Sequence, residues 1–92
     1  MRITAELSLY PLQDDPIPII LEFIGRIDKD GRVEVVVNQM STQLRGELDD
    51  VMRCVHDALR QSFASGGAQV LVAKFLNSDL PIASAPVLDE LR

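Results

Sequence analysis

The sequence has one cysteine and one histidine among its 92 residues, Cys54 and His56. A single thiol excludes an internal disulfide framework, and the pair is too few for a structural zinc cluster. Apolar runs are short: Val33 to Val37 is broken by Glu34, and none approaches the roughly 18–20 residues needed to span a bilayer. The opening segment Met1-Arg2-Ile3-Thr4-Ala5-Glu6 carries an acid where a signal peptide needs an uninterrupted apolar stretch, so the cytoplasm is expected. Positive charge is scarce as well. A net charge of −5 argues against nucleic acid, whose binders need a basic footprint, and is compatible with a neutral or cationic small ligand.

Catalytic constellations are missing too. Cys54 and His56 are two apart on a helical segment, so they diverge by about 200° and form no dyad. His56 reads as a solvated helix residue and Cys54 as a packed, inert thiol. Gly66-Gly67 is a helix stop and not a phosphate loop. The acid pairs Asp14-Asp15 and Asp49-Asp50 fall at helix starts, where capping and the backbone dipole account for them. The expectation is a protein that binds and does not catalyse, with no cofactor and no metal.

What is present is a strong alternation. In residues 2–10, Ile3, Ala5, Leu7 and Leu9 point one way and Thr4, Glu6, Ser8 and Tyr10 the other, which predicts a strand with one buried and one polar face, ended by Pro11. Asp14-Asp15-Pro16 predicts a helix start with an Asp cap, and Asp30-Gly31 its stop. Between them Ile17, Ile20, Leu21, Ile24 and Ile27 form the expected core stripe, widened sideways by Ile19 and Phe23. A helix so apolar on two adjacent faces is either broadly buried in its own domain or touches a partner subunit.

Val33 to Asn38 predicts a second strand with Val33, Val35 and Val37 on the core face. Asn38 to Ser41 is a tight connection into a short third strand, Thr42 to Arg45, ended by Gly46. Leu48, Val51, Met52, Val55, Leu59 and Phe63 repeat at three and four along a second helix from Glu47 to about Ala64. Ala68 to Leu76 is a fourth strand, and 77–81 a turn. The order β-α-β-β-α-β, with right-handed crossovers, gives an α+β, ferredoxin-like (ACT-like) sandwich: a four-stranded antiparallel sheet, strands one and three central, with two helices on one face. Residues 1–81 form the domain, and 82–92 a tail that is either a loose helix or disordered. A domain of this size buries only about 60–65% of its unfolded surface, so self-association is expected.

The polar face of the first strand is the unusual feature. It lies mid-sheet on the side the helices leave bare, so it is solvated, paired with another sheet, or covered by a ligand. Thr42 shares parity with Leu44, so its hydroxyl points toward the helices and needs a partner there, for which a backbone carbonyl is expected.

Three segments in order, Ser8-Leu9-Tyr10-Pro11-Leu12, Met40-Ser41-Thr42-Gln43-Leu44 with Gly46-Glu47, and Asn77-Ser78, resemble the YkoF-type thiamine/hydroxymethylpyrimidine-binding family over about residues 3–81. The resemblance implies the same fold and non-catalytic binding of thiamine or its pyrimidine part, in salvage or transport, by a single-repeat chain that forms dimers or tetramers. It implies that Tyr10 and Met40 contact a flat heterocycle, that Ser8, Ser41, Thr42 and Asn77 hydrogen-bond ring nitrogens and an exocyclic amine, and that Glu6 accepts from the amine or faces a thiazolium cation. Asn77-Ser78 is followed by Asp79-Leu80-Pro81, without the family's Gly-Cys element before the proline. Tyr10 is expected at the opposite end of the sheet from Ser41 and Asn77, so that a neighbouring subunit would have to complete any site using all of them. The other reading is an ACT-like regulatory or assembly module acting through sheet-to-sheet oligomerisation, with Glu6 and Arg45 paired across strands or subunits.

Overall fold

Strand β1, Arg2–Pro11, organises the molecule. Its odd-numbered side chains Ile3, Ala5, Leu7 and Leu9 are all buried, as strict alternation requires when one face of a sheet is covered. The computed structural model describes the backbone of residues 1–91 and the side chains of residues 1–89. Helix α1 spans Ile17–Asp30, β2 Glu34–Val37, β3 Thr42–Glu47, α2 Leu48–Ala64 and β4 Gln69–Leu76. The four strands form one antiparallel sheet in the order β2-β3-β1-β4, so β1 and β3 are central and the fold is ferredoxin-like βαββαβ. No helix among the described residues is long and apolar enough to cross a membrane.

Helix α1 is rotated from the expected stripe. Phe23 and Ile27 are the fully buried pair, with Ile19 packed against the core, whereas Ile17 and Leu21 are exposed. Ile17 lies about 120° around the helix from Phe23, and Leu21 as far from Ile27, so these pairs cannot share one buried stripe. Phe23 decides the setting because it is the bulkiest side chain available to fill the space over β1. The helix begins at an N-cap Pro16 without a side-chain cap, so the expected Asp cap is not made, and Gly31 ends it in the left-handed conformation at φ 79°.

Helix α2 buries Val51, Cys54, Val55, Ala58 and Ser62, while Leu48, Met52 and Phe63 from the expected stripe stay largely exposed on its flank. Cys54 is packed at the helix–helix contact, its Sγ 3.9 Å from Ile27 O, and burial pushes its thiol up to about 11. Arg32 ties the two helices together: its Nε donates to Asp30 at 2.6 Å and its Nη2 to Asp57 at 3.0 Å. Those guanidinium bonds hold both carboxyls below the usual range.

Gly46 does not end β3. It sits inside the strand opposite Ile3, buried, and a Cβ there would come within 3.1 Å of Val33 Cγ1. The absence of a side chain lets the loop before β2 close over β3. Residues 77–87 run as irregular chain back toward the open sheet face, and a 3₁₀ turn follows at Leu88–Leu91; position 92 and the side chains of 90 and 91 lie outside the described residues. Replacing Gly46 with Val should destabilise the domain by about 1–3 kcal/mol, the usual cost of overpacking. Chemical denaturation would check this, with an unchanged midpoint counting against the close approach.

Candidate functional site

The ladder between β1 and β3 ends at the pair Leu7–Thr42, while β1 continues to Pro11 against β4 alone. Ser8 to Pro11 therefore have no strand beside them on the β3 side. The space left there is closed by the β2–β3 turn on one flank and by helix α1 beneath. The result is a cleft of about 230 Å³ with Leu7, Leu9, Ile20, Phe23 and Ile24 as apolar walls. Its polar lining comes from Ser8, Tyr10, Asn38, Gln39, Ser41 and Thr42, and Met40 completes the rim.

Asn38 builds the turn. Its Oδ1 accepts from the Met40 N–H at 2.8 Å and the Ser41 N–H at 3.0 Å, and its own N–H donates to Ser41 O at 3.1 Å. An asparagine bonding the backbone two residues on is a self-contained turn, and here it fixes where Met40 and Ser41 stand. Met40 is 87% exposed, a long apolar side chain held in water beside the cleft. Ser8 Oγ reaches across the gap to Met40 O at 3.5 Å. Ser41 Oγ donates to Glu6 Oε2 at 3.0 Å, and the other Glu6 oxygen lies 3.5 Å from Lys74 Nζ.

Five of the seven expected site residues, Ser8, Tyr10, Met40, Ser41 and Thr42, thus line one cleft, and Glu6 stands behind Ser41 as its hydrogen-bond acceptor. The expected separation of Tyr10 from Ser41 is wrong: antiparallel pairing brings the start of β3 to the end of β1, so both are at the same end of the sheet. Asn77 is at the other end, following Leu76, which pairs with Thr4. It takes no part in this cleft. Thr42 is 4% exposed and faces the helix side as its parity predicts. It belongs to the cleft lining.

The sequence reading missed the contributions of Asn38, Gln39 and the α1 residues Ile20, Phe23 and Ile24. Asn38 carried a signal, since an Asx turn is expected where asparagine precedes a reversal. The α1 residues did not, because six isoleucines and leucines surround that helix without marking which of them meets a cavity. Within the chain Glu6 and Arg45 do not pair: Arg45 bonds Asp79 at 2.7 Å and Glu34 at 3.4 Å. Among the described residues no group of three or more His, Cys, Asp or Glu is placed to hold a metal ion. Chemically the cleft offers hydroxyls, amides, an aromatic ring and a thioether around an apolar floor, a set that recognises a small planar polar molecule.

Replacing Asn38 with Ala should free the Met40 and Ser41 amides from their shared acceptor. Their hydrogen exchange is expected to rise roughly fivefold or more, while exchange in β1 and β4 stays as it was. Equal protection in the variant would show that the backbone alone shapes the turn.

Known structures share this architecture. A Streptococcus pneumoniae protein is 25% identical with a TM-score of 0.75, covering 99% of this chain and 98% of that one. A Bacillus cereus domain of unknown function is 22% identical, TM-score 0.73, covering 98% of this chain and 86% of that one. A Thermotoga maritima protein proposed to act in thiamine biosynthesis or salvage is 18% identical, TM-score 0.73, covering 99% and 96% respectively. No curated protein matches the chain. Residues 2–76 match the sequence model of the YKOF-related family.

Proposed function

The chain belongs to the YkoF-related family, and from that premise we propose that it binds thiamine or its hydroxymethylpyrimidine part in the β1–α1 cleft, without transforming it. The observation that carries the proposal is the convergence of Ser8, Tyr10, Met40, Ser41 and Thr42 on one cavity, from two segments about thirty residues apart. The thiamine-related neighbour from Thermotoga maritima supports the ligand class. The cavity's size narrows it. At about 230 Å³ it falls below the roughly 300–1,000 Å³ of drug-sized pockets, so one six-membered ring enters while a second ring stays outside.

In this reading the pyrimidine slides between the Tyr10 ring and the Met40 thioether, over the floor made by Phe23 and Ile24. The Ser8 and Thr42 hydroxyls bond the ring nitrogens, each able to donate and accept. Ser41 and the Glu6 carboxylate behind it receive the exocyclic amine, and the thiazolium of intact thiamine lies toward the rim. Asn77, a sheet's length away, joins such a site only from a second copy, consistent with a dimer or tetramer. The single buried thiol keeps the cytoplasm as the expected compartment. The alternative is an assembly module, in which Glu6 and Arg45 would pair between subunits, since within the chain each has other partners.

Titration calorimetry with thiamine and with hydroxymethylpyrimidine is expected to give saturable heat for both. Tyr10→Ala should weaken binding roughly 2–12-fold, the range of one lost aromatic contact. Absence of heat from either ligand at millimolar concentration would remove this ligand class.

A further inference from the structure

A hydroxyl group has a single proton to give, and where that proton goes decides what the group can offer a ligand. In the cleft the choice is already made for Ser41. Its Oγ donates to Glu6 Oε2 at 3.0 Å, and a bond to a carboxylate is among the stronger of its kind. A carboxylate only accepts, so the direction of this bond is fixed. Glu6 is steadied in turn. The registers set it opposite Gln43 on β3 and Lys74 on β4, and Lys74 Nζ stands 3.5 Å from its other oxygen. Ser41 therefore presents lone pairs to whatever enters the cleft. It is an acceptor.

Asn38, three positions earlier in the same turn, is committed the opposite way. Its Oδ1 takes the Met40 N–H at 2.8 Å and the Ser41 N–H at 3.0 Å, which occupies both lone pairs of that oxygen. The same two bonds fix which end of the amide is which, since a nitrogen in that place would confront two donors. What the side chain has left to offer is N–H. Ser8 is different again. Its contact with Met40 O is 3.5 Å long, at the limit of a hydrogen bond, so its proton is easily redirected to a ligand. An acceptor whose direction is set by Glu6 and a donor whose direction is set by the turn thus line one cavity.

An aminopyrimidine presents an N–H donor beside a ring-nitrogen acceptor. Its oxo counterpart, in the lactam form, presents a carbonyl oxygen beside a ring N–H, the same two positions with the roles exchanged. The two rings differ little in size, so only hydrogen-bond direction separates them. We propose, resting on the pyrimidine reading above, that Glu6 is a positioning residue that sets ligand selectivity: by fixing Ser41 as an acceptor beside the donor Asn38, it makes the cleft choose an amino-substituted ring over the matching oxo ring. An oxo ring brings its oxygen against the Ser41 lone pairs. Ser41 can turn its proton toward that oxygen only by breaking its bond to the Glu6 carboxylate.

Titration calorimetry with 4-amino-5-hydroxymethyl-2-methylpyrimidine and with its 4-oxo analogue tests this. Wild type should bind the amino compound roughly 5- to 100-fold more tightly, the range for one polar group facing the wrong partner. Glu6→Ala releases the Ser41 proton and should reduce that ratio several-fold, chiefly by improving binding of the oxo ring. Ser41→Ala removes the acceptor and should reduce it as well, chiefly by weakening binding of the amino ring. In the double variant the Glu6 change should add nothing to the effect of Ser41→Ala, as holds when one residue acts only through another. A merely loosened fold weakens both compounds together and leaves the ratio where it was. Equal affinities for the two compounds in wild type, or a wild-type ratio retained in Glu6→Ala, would overturn the proposal while leaving the pyrimidine site standing. No heat from either compound would overturn the pyrimidine reading itself, and this inference with it.

Discussion

The structure turns on a mismatch of strand lengths. β1 is ten residues long and β3 six, and they pair from the start of β1, so the ladder runs out at Leu7 and Thr42 while β1 goes on. An unpaired strand segment inside a domain has to be closed by something other than a strand. Here helix α1 and an asparagine-built turn close it, and neither fills it. The cleft is therefore a consequence of topology, and the side chains at its edge are those that the last turn of alternation in β1 and the first residues of β3 deliver there.

A second consequence follows on the other face. Because β1 is central, its outward side chains are the middle of the bare sheet, and the chain's own C-terminal segment uses one of them, Thr4, as an anchor. Four residues further along the same face, Ser8 reaches toward the turn that bounds the cleft. One strand thus holds the segment after β4 near its beginning and carries the candidate ligand groups near its end. Glu6 lies between the two and is held by Ser41 and Lys74, so the strand's only carboxylate is engaged and does not stand as an isolated charge on the bare face.

Where a period imposes the structure, the sequence was readable. Alternation in β1 assigned Ile3, Ala5, Leu7 and Leu9 to the covered face, while Thr4 on the other face is buried by a contact that no period shows, and the parity of Thr42 with Leu44 put both on the helix side. The element order and the central position of β1 and β3 follow from handedness and chain connectivity, and they hold. What was not readable depended on contacts without a period. An isoleucine-rich helix has several equivalent stripes, and only the bulk of Phe23 against β1 selects one. Gly46 looks like a stop in sequence, because its close approach to Val33 exists only in three dimensions. The course of the tail rests on Thr4, more than seventy residues earlier. The placement of Tyr10 was a different kind of miss. Antiparallel pairing of β3 with β1 already puts residue 41 near residue 8, so the convergence of the site was available from topology and not drawn from it.

The central claim is that the gap beyond Leu7 and Thr42 is a ligand site. Titrating hydroxymethylpyrimidine into isotopically labelled protein and following backbone amide shifts tests it most directly. The account predicts that the largest changes fall on residues 8–10 and 38–42, with Ile20, Phe23 and Ile24 responding through their side chains and Asn77 unmoved in a single copy. Changes centred on the α2 flank or on β4, with the β1 end and the Asn38 turn unaffected, would contradict it.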